Sequence, residues 1–296
     1  MGRIENLSAE NRARYAREAV SVRTGQSNAS IVLFYEHGGF RIPAPWGTLG
    51  IPERLTGTHY GYGLGSRNLT LKIAELLDAT AIVSNYSRLF LDRNRKSHDP
   101  SCIRPDMGGI PVHYNEQISD AERELCEQIA RHPFETAVAD WLEGAAPVGK
   151  GIISVHSFSH VWETTYRDCE IGVMWKRDTR PKTPLMAALA QQDKFTSAEN
   201  EPYSFAESDW YTLDRHVLSV GVPNAYIEVR NDLLSNEQRI NKMAEIWLRR
   251  SKRRFVPWID GLQTRPRGTG SRKDVDHHQF GGSVYRNVGM GLFGIE

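Results

Sequence analysis

Two imidazoles and one carboxylate attract attention because each sits at or near the end of an apolar run. His37 follows Ile31–Phe34 and Glu36, His156 follows Gly151–Val155, and Glu228 lies within Ala225–Val229. Runs of this length read as buried strands, and in an open α/β sheet ligands bind beyond the carboxyl ends of the strands. Histidines at two adjacent strand ends can therefore offer one divalent ion donors that are far apart in the chain. Taken singly, a strand-end histidine is more often a hydrogen-bonded structural residue, since imidazole satisfies two polar contacts easily. In AYIEVR, strand alternation puts Tyr226, Glu228 and Arg230 on one face and Ile227 and Val229 on the other. An ion pair between Glu228 and Arg230 is the structural alternative to a chemical role.

The elements that would position these residues alternate between the two periods. Ser8 can cap an amphipathic helix through Val20, and a polar link leads to a strand near 30–36. A long Gly- and Pro-rich loop, PAPWGTLGIPERLTGTHYGYGLGSRN, precedes a helix whose Leu69, Ile73, Leu76 and Leu77 share a face, followed by a strand over Thr80–Ser84. Ser119 and Glu122 have capping-box spacing and open a helical stretch bent or divided at Pro133. Strands follow at Gly151–Val155, Glu170–Met174 and Ala225–Val229, and Ser235 with Gln238 caps a last helix through Arg250. This order predicts an α/β fold: a mostly parallel or mixed central sheet with helices on both faces. The expected partition is an N-terminal helix and linker (1–29), the α/β domain (30–255) and a Gly/Arg-rich tail (256–296) without helical or strand period.

Composition narrows the partners. With 296 residues and 40% hydrophobic side chains the chain can bury a sizeable core. Lys and Arg number 37 against 36 Asp and Glu, a balance with no field to gather nucleic acid or an anionic membrane. Three scattered cysteines make neither a disulfide framework nor a CxxC metal site. There is no apolar leader or membrane-length run, so the expectation is a cytoplasmic protein with a small partner. GYGLG lacks the spacing of a dinucleotide loop, and the His277-His278 pair sits in the polar tail.

EHGGFRIP, SNYSRLFLDRNR, VHSFSH, NEPYS and YIEVRNDLL occur in this order and resemble the signature blocks of the N-formylglutamate amidohydrolase family, over roughly residues 30–250. The resemblance implies a fold similar to that of zinc carboxypeptidases. It also implies one metal, usually Zn2+, activating water to hydrolyse the amide of a small N-acyl amino acid. On that reading His37 and His156 hold the metal and Glu228 is the general base. Arg88 and Arg95, with Asn94 beside them, suit capture of a substrate carboxylate, and Asp92 orients an arginine. Asn200 and Tyr203 belong to a substrate-lining loop, and His216 reaches the substrate.

Two positions depart from the family pattern. Gly63 stands where relatives commonly carry an Asp, and Phe40 where they carry a polar residue. Two histidines alone hold zinc weakly, since catalytic sites normally use three protein ligands; Glu36, His59 and His160 are the candidates for a further donor. A non-catalytic protein that binds carboxylate ligands on this fold, or an amidohydrolase shifted to a larger peptide-like substrate, are the alternatives. The oligomeric state is open.

Overall fold

The computed structural model describes residues 4, 6–26, 31–144, 151–162, 164–176, 178–191, 194–203, 211–217 and 221–247. The chain divides into a compact unit, Met1–Thr264, and a second unit, Arg265–Glu296. The expected tail, with His277 and His278, lies outside the described residues.

In chain order the elements used below are α1 (Ala9–Glu18), β1 (Val20–Arg23), β2 (Ile31–Tyr35), α2 (Ser66–Leu77), β3 (Thr80–Ser84), α3 (Asp120–Cys126) and α4 (His132–Glu143). They continue with β4 (Gly151–Phe158), β5 (Ile171–Met174), α5 (Lys182–Ala190), β6 (Ser197–Glu199), α6 (Tyr211–His216), β7 (Asn224–Arg230) and α7 (Glu237–Ile246). The strands form one mixed sheet in the order β1-β3-β2-β4-β7-β5-β6. The β1–β3 and β7–β5 pairs are antiparallel and the others parallel.

Helices cover both faces, which explains why the central strands read as continuous apolar runs. Leu33, Ile153, Val155 and Ile227 pack with Leu69 and Ile73 of α2 and Ile240 and Met243 of α7. On the other face Val32, Phe34, Ile152 and Tyr226 meet Phe134 and Val138 of α4 and Leu213 of α6. Each such side chain contributes roughly 1.5–3 kcal/mol by leaving water. A further cluster, with Trp46, Leu49, Tyr86 and Phe90 at its centre, anchors the loops beside the sheet.

Several local expectations change. The first helix stops at Glu18 instead of Val20, because Val20–Arg23 pairs with β3 as an edge strand. Asn236, not Ser235, caps α7, its Oδ1 accepting from the Arg239 amide at 2.9 Å. The capping box of Ser119 and Glu122 forms, and a π-turn over Glu127–Arg131 separates α3 from α4, with Pro133 in the first turn of α4. Leu76 is 40% exposed and lies outside the buried stripe of α2. Among the described residues no helix is long and apolar enough to cross a membrane.

Candidate functional site

The three central strands β2, β4 and β7 carry the polar residues. Parallel pairing places Glu228 opposite His156 and Tyr226 opposite Ser154, so all four belong to one face of the sheet. β4 runs on to Phe158, so His156 lies inside the strand rather than after it. His37 follows β2, and its ring lies edge-on to that of His156, 5.1 Å between centroids. Tyr226 stacks on the other side of His156 at 4.2 Å and 19°, and Tyr35 meets it edge-on at 5.2 Å. Aromatic packing thus fixes the plane of that imidazole.

Each histidine is held by a carboxylate. His37 Nε2 donates to Asp92 Oδ1 at 2.8 Å, and His156 Nε2 donates to Glu36 Oε2 at 2.8 Å, with Ser154 Oγ at 3.0 Å. Ser154 Oγ itself donates to Glu36 Oε2 at 3.0 Å. An ionised carboxylate only accepts, so the proton sits on Nε2 and the lone pair on Nδ1. Burial alone raises the Asp92 carboxyl, but His37, followed by Arg95 and Arg88, outweighs it and holds the group well below its ordinary range. Burial likewise opposes ionisation of Glu36, and His156 and His37 reverse it. Burial pushes His156 down to about 4, against the pull of Glu36.

Two buried guanidiniums hold the Asp92 segment in place. Arg93 donates to the carbonyls of Ala130 (3.0 Å), Tyr86 (3.2 Å) and Leu91 (3.3 Å). Arg131 pairs with Glu127 and donates to the carbonyls of Arg93 (2.9 Å) and Asp92 (3.2 Å). The loop 59–63 is tied across the same site. Gly63 N donates to the His37 carbonyl at 3.1 Å, Ser87 Oγ to Gly61 O at 2.8 Å, and Arg88 to the carbonyls of Tyr60 and His59. Gly39 is required because a Cβ there would fall 1.9 Å from the Asn85 carbonyl oxygen.

A cleft of about 430 Å³ opens between these segments, and its lining includes His37, His59, Asp92, His156, Tyr226 and Glu228. Glu228 is buried, and its Oε2 has no hydrogen-bond partner. Desolvation raises its carboxyl to about 8, although Arg88 and Arg167 oppose the shift. Arg230 pairs with Asp232 and Glu170 rather than with Glu228, so the carboxylate is not spent in the ion pair that alternation allowed. Arg88, Arg95 and Arg104 line the cleft and give its wall a cationic character.

The other sequence candidates divide. Asn94, Arg95 and Tyr203 line the cleft with Arg88, but the Nε and Nη2 groups of Arg88 are committed to loop carbonyls. Asp92 holds His37, a correction to its expected service to an arginine; the D-x-N-R spacing alone did not reveal this partner. Asn200 is displaced from the cleft: it adopts φ 53° and its Oδ1 accepts from Trp175 N at 2.9 Å. His216 lies on α6 with Nε2 3.9 Å from Glu135 Oε1, away from the lining. His160 is exposed beside Tyr166 and borders a separate surface groove, so it does not join His156. Phe40 is 53% exposed against Tyr62, 5.2 Å between rings. Tyr226 and Ser154 were not singled out, although strand alternation puts Tyr226 on the face of Glu228. For Arg167, whose Nη1 donates to Tyr203 Oη at 3.3 Å, no motif signalled the site.

The residues present suit a divalent cation in donor chemistry. Both Nε2 atoms are occupied by carboxylates, the arrangement that orients metal-binding imidazoles, and this leaves Nδ1 of each ring as the available donor. His59 Nδ1 and Glu228 Oε2, on residues lining the same cleft, are buried without partners. Yet among the described residues no three His, Cys, Asp or Glu side chains converge closely enough to hold an ion as they stand.

The family model of N-formylglutamate amidohydrolase matches residues 29–235. The chain belongs to this family. Among solved structures, a gene product of Agrobacterium tumefaciens superposes with a TM-score of 0.73 at 26% identity, covering 83% of this chain and 94% of that one. An N-formylglutamate amidohydrolase from Ralstonia eutropha JMP134 superposes with a TM-score of 0.58 at 17% identity, covering 77% of this chain and 97% of that one. The second likeness shows the fold shared with a member of the N-formylglutamate amidohydrolase family. No curated protein matches the sequence significantly.

Proposed function

We propose that this N-formylglutamate amidohydrolase family member hydrolyses the amide of a small N-acyl amino acid, with a divalent cation, Zn2+ in the first instance, held by His37 and His156. The observation that carries this reading is the buried, unpartnered Glu228 carboxylate beside two imidazoles whose Nε2 atoms are fixed by Asp92 and Glu36. When bound, the cation supplies Lewis acidity that polarises an amide carbonyl and acidifies water. Asp92 and Glu36 keep both rings in the tautomer whose lone pair is on Nδ1, and Tyr226 keeps the His156 ring in plane. Glu228 takes the proton of the attacking water and passes it to the leaving nitrogen. In the cation-free site desolvation raises its carboxyl to about 8, and a bound cation would favour the carboxylate form that accepts the proton. Arg95 and Arg104 supply positive charge for the carboxylate of the substrate, while Arg88 positions the loop 59–63.

The test combines metal content with release of free amine from a panel of N-acyl amino acids, before and after chelation. Amine release that stops on chelation and returns with Zn2+ is expected. A protein that binds these compounds calorimetrically with no product and no effect of chelation would instead be the non-catalytic binder.

A further inference from the structure

Tyr203 lines the cleft together with Glu228, His37 and His156, and Arg167, outside that lining, holds it from behind. The Arg167 guanidinium carbon lies 4.9 Å from the centre of the Tyr203 ring and 5.7 Å from that of Phe158. Its Nη1 donates to the Ser159 carbonyl and to Tyr203 Oη, each at 3.3 Å. The backbone of Arg167 is fixed as well: its N donates to the His160 carbonyl at 2.9 Å, and its carbonyl accepts from Arg230 Nη1 at 3.2 Å. A guanidinium has donors and no acceptor, so the phenol oxygen accepts from it and keeps its own hydrogen for a further bond. Among the described residues nothing takes that hydrogen. Burial and the negative charge of Glu228 raise the phenol above its ordinary range, against the pull of Arg167, which favours the protonated donor.

We propose that Tyr203 donates a hydrogen bond to the oxygen of the scissile amide as negative charge develops there, with Arg167 as the positioning residue that leaves the hydroxyl hydrogen free for the cleft. This rests on the reading that the cleft hydrolyses an N-acyl amino acid. Glu228 is an electrostatic neighbour of both Tyr203 and Arg167, so the phenol shares the surroundings of the carboxylate that takes the water proton. The full charge of a substrate carboxylate is matched by the charged donors Arg95 and Arg104 of the same lining. A neutral phenol suits instead an amide oxygen whose charge appears only during reaction. Such a donor gains more from the oxyanion than from the ground-state carbonyl, so it lowers the barrier without tightening substrate binding in proportion. The phenol keeps its proton throughout, while Glu228 moves the proton from water to the leaving nitrogen.

The experiment measures steady-state amine release by the full chain supplied with Zn2+, on the N-acyl amino acid that the parent turns over fastest. It compares the parent with Tyr203→Phe, Arg167→Met, Arg167→Lys and the double variant Tyr203→Phe/Arg167→Met. All rates are read on the plateau of the pH profile, so that a change in the titration of Glu228 does not enter. Tyr203→Phe should lower kcat by on the order of 100-fold with KM nearly unchanged. Arg167→Met should lower kcat less steeply, Arg167→Lys, which keeps a donor, should recover part of that loss, and the double variant should be no slower than Tyr203→Phe alone. Thermal melting of each variant checks its fold, and the contrast between Arg167→Met and Arg167→Lys carries the test if Tyr203→Phe does not fold. A Tyr203→Phe variant with unchanged kcat, whatever its KM, overturns the inference and leaves the proposed function standing. Losses that multiply in the double variant, or no recovery in Arg167→Lys, overturn the role of Arg167. A parent that releases no amine from any member of the panel overturns this inference together with the proposed function.

Discussion

Replacing Gly63 by alanine tests the contact that excludes a side chain from the loop. The new Cβ would lie 1.8 Å from Tyr35 Oη, with Tyr35 Cζ at 3.0 Å and Ser157 Oγ at 3.3 Å. The first separation is about half of an ordinary nonbonded contact of ~3.5 Å. Tyr35 cannot retreat easily, since β2 is paired with β3 and β4 on either side and the ring is fully buried. Overpacking of this kind costs about 1–3 kcal/mol. Tyr35→Phe alone removes the hydrogen bond to the Gly63 carbonyl, 3.0 Å, and should cost about 1–2 kcal/mol. In the double variant the hydroxyl is gone and the nearest atom is the ring carbon, so its loss should stay close to that of Tyr35→Phe alone, a coupling of about 1–3 kcal/mol. Urea unfolding of the metal-free proteins, read as a midpoint change at constant m-value, measures all three. Strictly additive losses would refute the steric account of Gly63.

Two further outcomes follow from buried charge. Glu228 has its folded carboxyl raised from 4.5 to about 8, so its protonated form favours the folded state. That contribution is complete below pH 4.5 and is lost as pH rises through 8, on the order of 5 kcal/mol; Glu228→Gln should flatten this slope in metal-free protein, and parallel pH profiles would count against it. Arg131→Met leaves the buried Glu127 carboxylate without its guanidinium and should cost about 3–5 kcal/mol in thermal unfolding, part of which Glu127→Gln in the same chain should restore; no restoration would show that the loss comes from the Asp92 and Arg93 carbonyl contacts instead.

The architecture was legible wherever one residue's neighbours in sequence decide its state. The apolar runs of β2, β3 and β7 and the capping box of α3 are local signals, and they place these elements within a residue or two of where they form. The edge strand β1 escaped notice because Val20–Arg23 is short and becomes a strand only through pairing with β3. β6 is likewise a three-residue strand that exists by pairing with β5.

Within the site, residue types and their order in the chain determined that imidazoles, a glutamate and arginines were available on strands and strand-end loops of an amidohydrolase-family fold. Which atom faces which was decided only by tertiary packing. Asp92 turns to His37 because two buried arginines hold its backbone there, Arg88 is spent on loop carbonyls, and His160 and His216 point elsewhere because neighbouring segments carry them away from β4. A sequence encodes donors and their spacing along the chain; convergence of donors from separate strands depends on sheet register and loop anchoring, and those are settled by contacts between residues remote in sequence.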